Sequence, residues 1–140
     1  MNSQTKDVSS NKNRVTSSSK SKSKSKVSSV GIAVVKSTFN NTIVTITNPN
    51  GDVVAFSSGG RTQKGARKAT AFAGEEAART AAHKALELGM LEVHVKIKGC
   101  GNARDSGTRG LASAGLKILT ISELTGIPHN GCRRRKKKRV

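Results

Sequence analysis

The sequence predicts an α/β domain: a mixed β-sheet in the order βββαβαβ with two helices packed on it, a disordered basic N-terminal arm and a basic C-terminal tail. Three observations lead there. Residues 30–36, 42–47 and 52–57 are rich in Val, Ile and Thr and are separated by turn residues at hairpin spacing. Ala73, Ala77, Ala81, Ala85 and Leu88 recur at three- and four-residue steps, the period of a helix with one apolar face. Val93, Val95 and Ile97 alternate with Glu92, His94 and Lys96, the period of a half-buried strand.

Each element has local support. Asn40-Asn41 supplies a sharp polar turn after the first strand, and Asn48-Pro49-Asn50-Gly51 one after the second. Residues 58–68, rich in Gly, Lys and Arg, read as a loop. The first helix follows over 71–88. Glu75 and Glu76 suit its positive N-terminal end and Lys84 its negative C-terminal end, and Gly89 is placed to stop it. Its alanine face predicts close packing on the sheet. Strand 91–97 leads through the tight Gly99-Cys100-Gly101 loop to a second helix over 103–114, which ends at Gly115. The last strand lies within 116–124. Strands alternating with helices after an initial meander make a mixed sheet covered by helices.

The 140 residues carry 26 Lys and Arg against 8 Asp and Glu, a net charge of +18. Residues 1–29 hold seven of the cations and one acid, and residues 133–139 are seven cations in a row. The middle is only mildly basic. The chain thus divides into an arm (1–29), a core domain (30–126) and a tail (127–140). The arm alternates Ser and Lys from Ser19 to Lys26 and has three Val and no aromatic residue. It buries too little apolar surface to offset its ordering entropy. An organelle presequence should be amphipathic and Arg-rich, whereas only Arg14 is present. No apolar stretch suits a secretory signal or a membrane span. Cys100 and Cys132 are too few for a disulfide framework and fit a reducing compartment. So strong a positive charge calls for an anionic partner.

Four constellations bear on that partner. Arg133, Arg134, Arg135, Lys136, Lys137, Lys138 and Arg139 form a run that reads either as a solubilising or nuclear-import tail or as a phosphate-tracking arm that releases counterions. The preceding Pro128, His129, Asn130 and Gly131 look like a turn that aims it, which favours the arm. Lys64-Gly65-Ala66-Arg67-Lys68 opens onto the first helix, where Lys64, Arg67, Lys68 and the helix N-terminus suit a phosphate; a solvated loop is the plainer alternative. Gly99-x-Gly101-x-x-Arg104 superficially resembles a dinucleotide fingerprint, but Arg104 replaces its third Gly and no second βαβ half follows. Gly99 and Gly101 more plainly offer backbone amides to an RNA phosphate, with Arg104 and Arg109 beside them, or form a simple strand–helix turn. His129-x-x-Cys132 is half a zinc site without its second pair, so no metal is expected. His83 and His94 read as structural or solvated, and no catalytic motif is present. Asn40, Asn41 and Lys36 are placed to reach a ribose or base edge, although a hairpin turn alone explains the asparagines. Phe39, Phe56 and Phe72 read as core residues. Recognition is therefore expected to rest on backbone charge and RNA shape rather than on base stacking.

Phe39-Asn40-Asn41-Thr42-Ile43-Val44-Thr45, Lys64-Gly65-x-Arg67-Lys68, Lys98-Gly99-x-Gly101-x-x-Arg104 and Ile127-Pro128-His129-Asn130-Gly131-Cys132-Arg133 together resemble small-subunit ribosomal protein eleven, the universal S-eleven family, in its bacterial or organellar branch. The motifs fall in the family's order over residues 30–140. The resemblance implies a structural protein of the small-subunit platform, near the cleft where mRNA leaves. It implies small-subunit rRNA as the partner, and neighbours from the seventh, eighteenth and often the twenty-first ribosomal protein families. It implies neither catalysis nor a cofactor, and a mixed sheet with two helices. The RNA-contacting positions it carries over are Asn40, Asn41, Lys64 to Lys68, Gly99 to Arg104, and His129 to the C-terminus. Cys100, Gly126, Arg134 and Arg135 depart from it, since family members commonly carry Pro there. A ribosomal location follows, with a mitochondrion or plastid favoured over the bacterial cytoplasm by the Asn-, Lys- and Ser-rich start. The competing readings are a free-standing nucleic-acid chaperone, which salt should wash away, and a Gly-loop nucleotide-binding enzyme, which nucleotide titration would reveal.

Overall fold

The computed structural model describes residues 27–139. Most of the arm assigned to 1–29 therefore lies outside the described residues. Its last residues are joined to the domain: Val27 packs against the core, the Ser28 amide donates to Asn48 Oδ1 at 3.1 Å, and the Ser29 carbonyl accepts from the Leu91 and Glu92 amides.

The elements are β1 (Val30–Ser37), β2 (Thr42–Thr47), β3 (Val53–Ser58), α1 (Gly59–Thr62), a 3-10 turn (Gly65–Ala69), α2 (Ala71–Glu87), β4 (Glu92–Lys98), α3 (Arg104–Ser113) and β5 (Lys117–Glu123). The predicted order of strands and long helices is present. The exception is the segment read as a loop, which holds α1 and the 3-10 turn. A four-residue helix is too short to show a period. Hydrogen bonds hold it instead: Gln63 N–H and Thr62 Oγ1 both donate to the Gly59 carbonyl.

The five strands lie in the order β3-β2-β1-β4-β5. β1 pairs antiparallel with β2 and parallel with β4; β2–β3 is antiparallel and β4–β5 parallel. The meander gives the antiparallel half, and the two crossovers through α2 and α3 give the parallel half. Both helices cover one face, α2 over β2 and β3, and α3 against β1 and β4. Val35, Val44, Ile46, Val93, Val95 and Leu111 are fully buried between the layers. The alanine face of α2 is buried as expected, and α2 meets α3 so closely that a Cβ on Gly110 would lie 2.5 Å from the Glu75 carbonyl oxygen.

Two local expectations are corrected. Glu75 and Glu76 sit in the second turn of α2, not the first, and pair with Arg79 at 3.0 and 3.8 Å. The helix start is capped by Thr70, whose Oγ1 accepts from the Ala73 amide. All three phenylalanines lie outside the core, with Phe39, Phe56 and Phe72 exposed by 42%, 60% and 64%. β5 is an edge strand and leaves Leu119 and Ile121 open to solvent. At its start Lys117 pairs with Glu92 at 2.8 Å; this hydrogen bond, and then the carboxylate charge, raise the Lys117 pKa.

The tip of the sheet is closed by backbone contact. Gly99 has φ +105°, and a Cβ there would come within 2.0 Å of the Ser37 carbonyl oxygen. Only glycine tolerates both conditions. Gly99→Ala is expected to lower the unfolding free energy by about 2 kcal/mol or more, read as a fall in the urea midpoint at an unchanged slope.

Candidate nucleic-acid interface

The site grows from the β1–β2 hairpin. Residues 38–41 turn the chain, and Thr38 organises them: its amide and its hydroxyl donate to the Asn41 carbonyl, both at 2.9 Å. The same hydroxyl oxygen accepts from the Asn40 and Asn41 amides. Asn41 then ties the hairpin to α1. Its Oδ1 accepts from its neighbour Thr42 at 2.9 Å and from Gly60 at 3.1 Å. Asn41 therefore holds the frame together, in keeping with the hairpin turn that the sequence alone offers for it.

Behind the hairpin, β4 runs parallel to β1 in a register that sets Lys98 beside Lys36. β5 ends at Glu123, and the Leu124 amide still donates to the Ile97 carbonyl. The chain then bends at His129 and Asn130, both exposed. Asn130 is the only non-glycine residue at positive φ (57°) among the described residues. The tail passes back across the hairpin, and the Asn40 side chain binds its backbone at Lys136 and Lys138.

Two adjoining clefts result, each of about 570 Å³. Lys36, Asn40, Lys68, Lys98, Arg134 and Arg135 line the first, together with Phe39 and Cys100. Lys68, Arg135, Lys136, Lys137 and Lys138 line the second. Among the described residues, no acidic residue lines either cleft and no ion pair uses any of these cations. Such a concavity attracts a polyanion through its charge and repels a cation.

The structure separates the other predicted positions. Lys64, just before the 3-10 turn, and Arg67, on it, are exposed outside both clefts. Arg133 and Arg139 are likewise exposed on the tail. The amides of Gly99 and Gly101 are engaged within the fold, donating to Thr125 Oγ1 at 2.9 Å and to the Ser37 carbonyl at 3.1 Å. These glycines thus serve close backbone packing, not phosphate binding through their amides. Arg104 is paired with Glu123. Arg109 lies in a separate groove beside Ile97, Ile118 and Ile121. Two cleft residues were missed: Lys98, quoted only within a motif, and Phe39, read as core. Among the described residues, no group of three His, Cys, Asp or Glu side chains is placed to hold a metal, and no helix is long and apolar enough to cross a membrane.

Fold and site together define a small α/β protein with a cation-lined concave edge. Residues 31–139 match the family model of ribosomal protein S11. Similar proteins include small ribosomal subunit protein uS11c of Oltmannsiellopsis viridis, 55% identical over 111 residues that span 79% of this chain and 86% of that protein. They also include uS11 of Protochlamydia amoebophila, 54% identical over 79% of this chain and 82% of its own length, and uS11 of Thermosynechococcus vestitus, 50% identical over 79% and 85%. The chain belongs to the ribosomal protein S11 family, a family of structural components and not of enzymes.

The Arg104–Glu123 pair spans α3 and β5 at a half-exposed position. Arg104→Ala and Glu123→Gln should each lower stability by less than about 1 kcal/mol, as read by thermal unfolding. Glu123→Gln, which frees Arg104, should leave RNA affinity within about twofold, less than one good charged contact would change it.

Proposed function

We propose that this chain is a structural constituent of the small ribosomal subunit that binds small-subunit rRNA through the two cation-lined clefts and the tail. The observation that carries this reading is the convergence of Lys36, Lys68, Lys98, Arg134 and Arg135 with no acid among them. Lys36 and Lys98 are register partners on adjacent strands, where like charges repel. A phosphate between them turns that repulsion into attraction. The folded domain sets the position of the cations, and the tail tracks backbone phosphates and releases counterions.

Family membership and the naming of its relatives as small-subunit proteins support the ribosomal part of the proposal. By the same resemblance we assign the subunit platform near the mRNA exit cleft, with neighbours from the seventh, eighteenth and twenty-first families. The proposed compartment is a plastid or mitochondrion before the bacterial cytoplasm. Contacts to the RNA are assigned to Lys36, Lys68, Lys98 and residues 133–139, with Lys64 and Arg67 reaching RNA from the outer surface of the 3-10 turn. His129 and Asn130 act by turning the tail.

Sedimentation of tagged protein from lysate in high salt and magnesium tests this. Stoichiometric migration with the small subunit is expected, and the compartment supplying those subunits fixes the location. Release by salt onto mixed nucleic acid would overturn the ribosomal reading. Removing residues 133–140 should weaken rRNA binding and flatten its salt dependence by about 0.9 in log–log slope for each duplex phosphate no longer neutralised. Filter binding across a salt series measures it.

A further inference from the structure

We propose that Asn40 is a positioning residue: its side-chain amide pairs with the tail backbone as a strand would and sets where the tail cations meet RNA. The proposal rests on the RNA-binding reading above and deepens it.

Asn40 Nδ2 donates to the Lys136 carbonyl at 3.1 Å, and Lys138 N–H donates to Asn40 Oδ1 at 2.8 Å. In an extended chain the carbonyl of one residue and the amide two residues on point to the same side. A planar carboxamide, with one acceptor and one donor edge, meets both at once. Only one orientation of the amide satisfies the pair, because the tail offers an acceptor at Lys136 and a donor at Lys138. The platform beneath is fixed, since Thr38 holds the Asn40 backbone amide and closes the turn.

Charge explains why an uncharged side chain holds this place. The tail lies beside Lys68, and its approach is opposed by repulsion. A carboxylate would hold it by ion pairing and would cancel a cation that the RNA needs. A neutral amide bonded to the backbone holds the tail and leaves all seven tail charges free. Asn40 thus acts through the tail, in place of the ribose or base-edge contact expected from the sequence.

The test uses the full-length chain, with a small-subunit rRNA transcript as probe. In Asn40→Ala, the Lys138 amide order parameter should fall from near 0.85 to below about 0.6, and rRNA affinity should fall about fivefold to thirtyfold, as for two net hydrogen bonds. In a background with Lys136, Lys137 and Lys138 changed to Gln, the same substitution should cost less than about twofold, because the cations at and between the two anchored residues are gone. An unchanged Lys138 order parameter, or an equal affinity loss in both backgrounds, would overturn the positioning role; the second result would mean that Asn40 touches RNA itself. Asn40→Leu, of similar size but with neither donor nor acceptor, gives the same order-parameter readout should the alanine variant not fold. If the Lys-to-Gln chain binds rRNA with unchanged affinity and salt slope, the tail's part in the RNA interface falls instead, and the amide readout still reports whether Asn40 holds the tail.

Discussion

The approach of Gly99 and Gly101 to residues 37 and 38 is the constraint on which the site depends. β1 and β4 are far apart in sequence, separated by β2, β3 and the crossover through α2. Their parallel pairing brings Lys36 and Lys98 level, and the glycine loop then folds over the end of β1, backbone against backbone. With a side chain at Gly99, β4 would have to move away from Ser37. The chain after β5 would move with it, because the Gly99 amide is bound to Thr125. Hairpin, loop and tail meet at one edge because this contact is as short as a backbone allows.

What gathers there is electrostatically unfavourable by itself. Cations from β1, the 3-10 turn, β4 and the tail share an edge that contains no acid among the described residues, while four of the seven acids of the core domain form ion pairs elsewhere. Glu75 and Glu76 hold Arg79, Glu92 holds Lys117, and Glu123 holds Arg104. The division leaves one edge to be neutralised from outside. Apolar packing of α2 and α3 on the sheet holds the domain together against that repulsion, and uncharged groups, Asn40 and Asn41, make the connections inside the cationic edge.

Much of the fold was legible because its patterns are local. The alternation of Val93, Val95 and Ile97 and the alanine steps of α2 each report one buried face, and Gly89 and Gly115 follow the helix ends as read, both at positive φ. α1 was not legible, because four residues show no period. At the site, the tail run and Lys68 were readable as bare charge. Lys98 was not, since its value comes from a register with Lys36 that no local signal encodes. The pairing of Arg104 was hidden for the same reason: its partner Glu123 lies across the crossover, and a charge already paired looks identical in sequence to a free one. Phe39 was misjudged because aromatic residues are assumed to be core, whereas here it sits at a hairpin tip.

The uncovered face of the sheet has a consequence for the chain before it is assembled. Ile43, Val53 and Phe56 are exposed, and both border strands, β3 and β5, present an edge unpaired among the described residues. Open edges beside exposed apolar side chains invite strand-to-strand association between copies. The countermeasure is the chain's own charge: at +18, two molecules repel before their edges can meet. Colloidal solubility and RNA affinity thus draw on the same lysines and arginines, so acidic polymers other than the proper partner would remove the protection and favour co-precipitation.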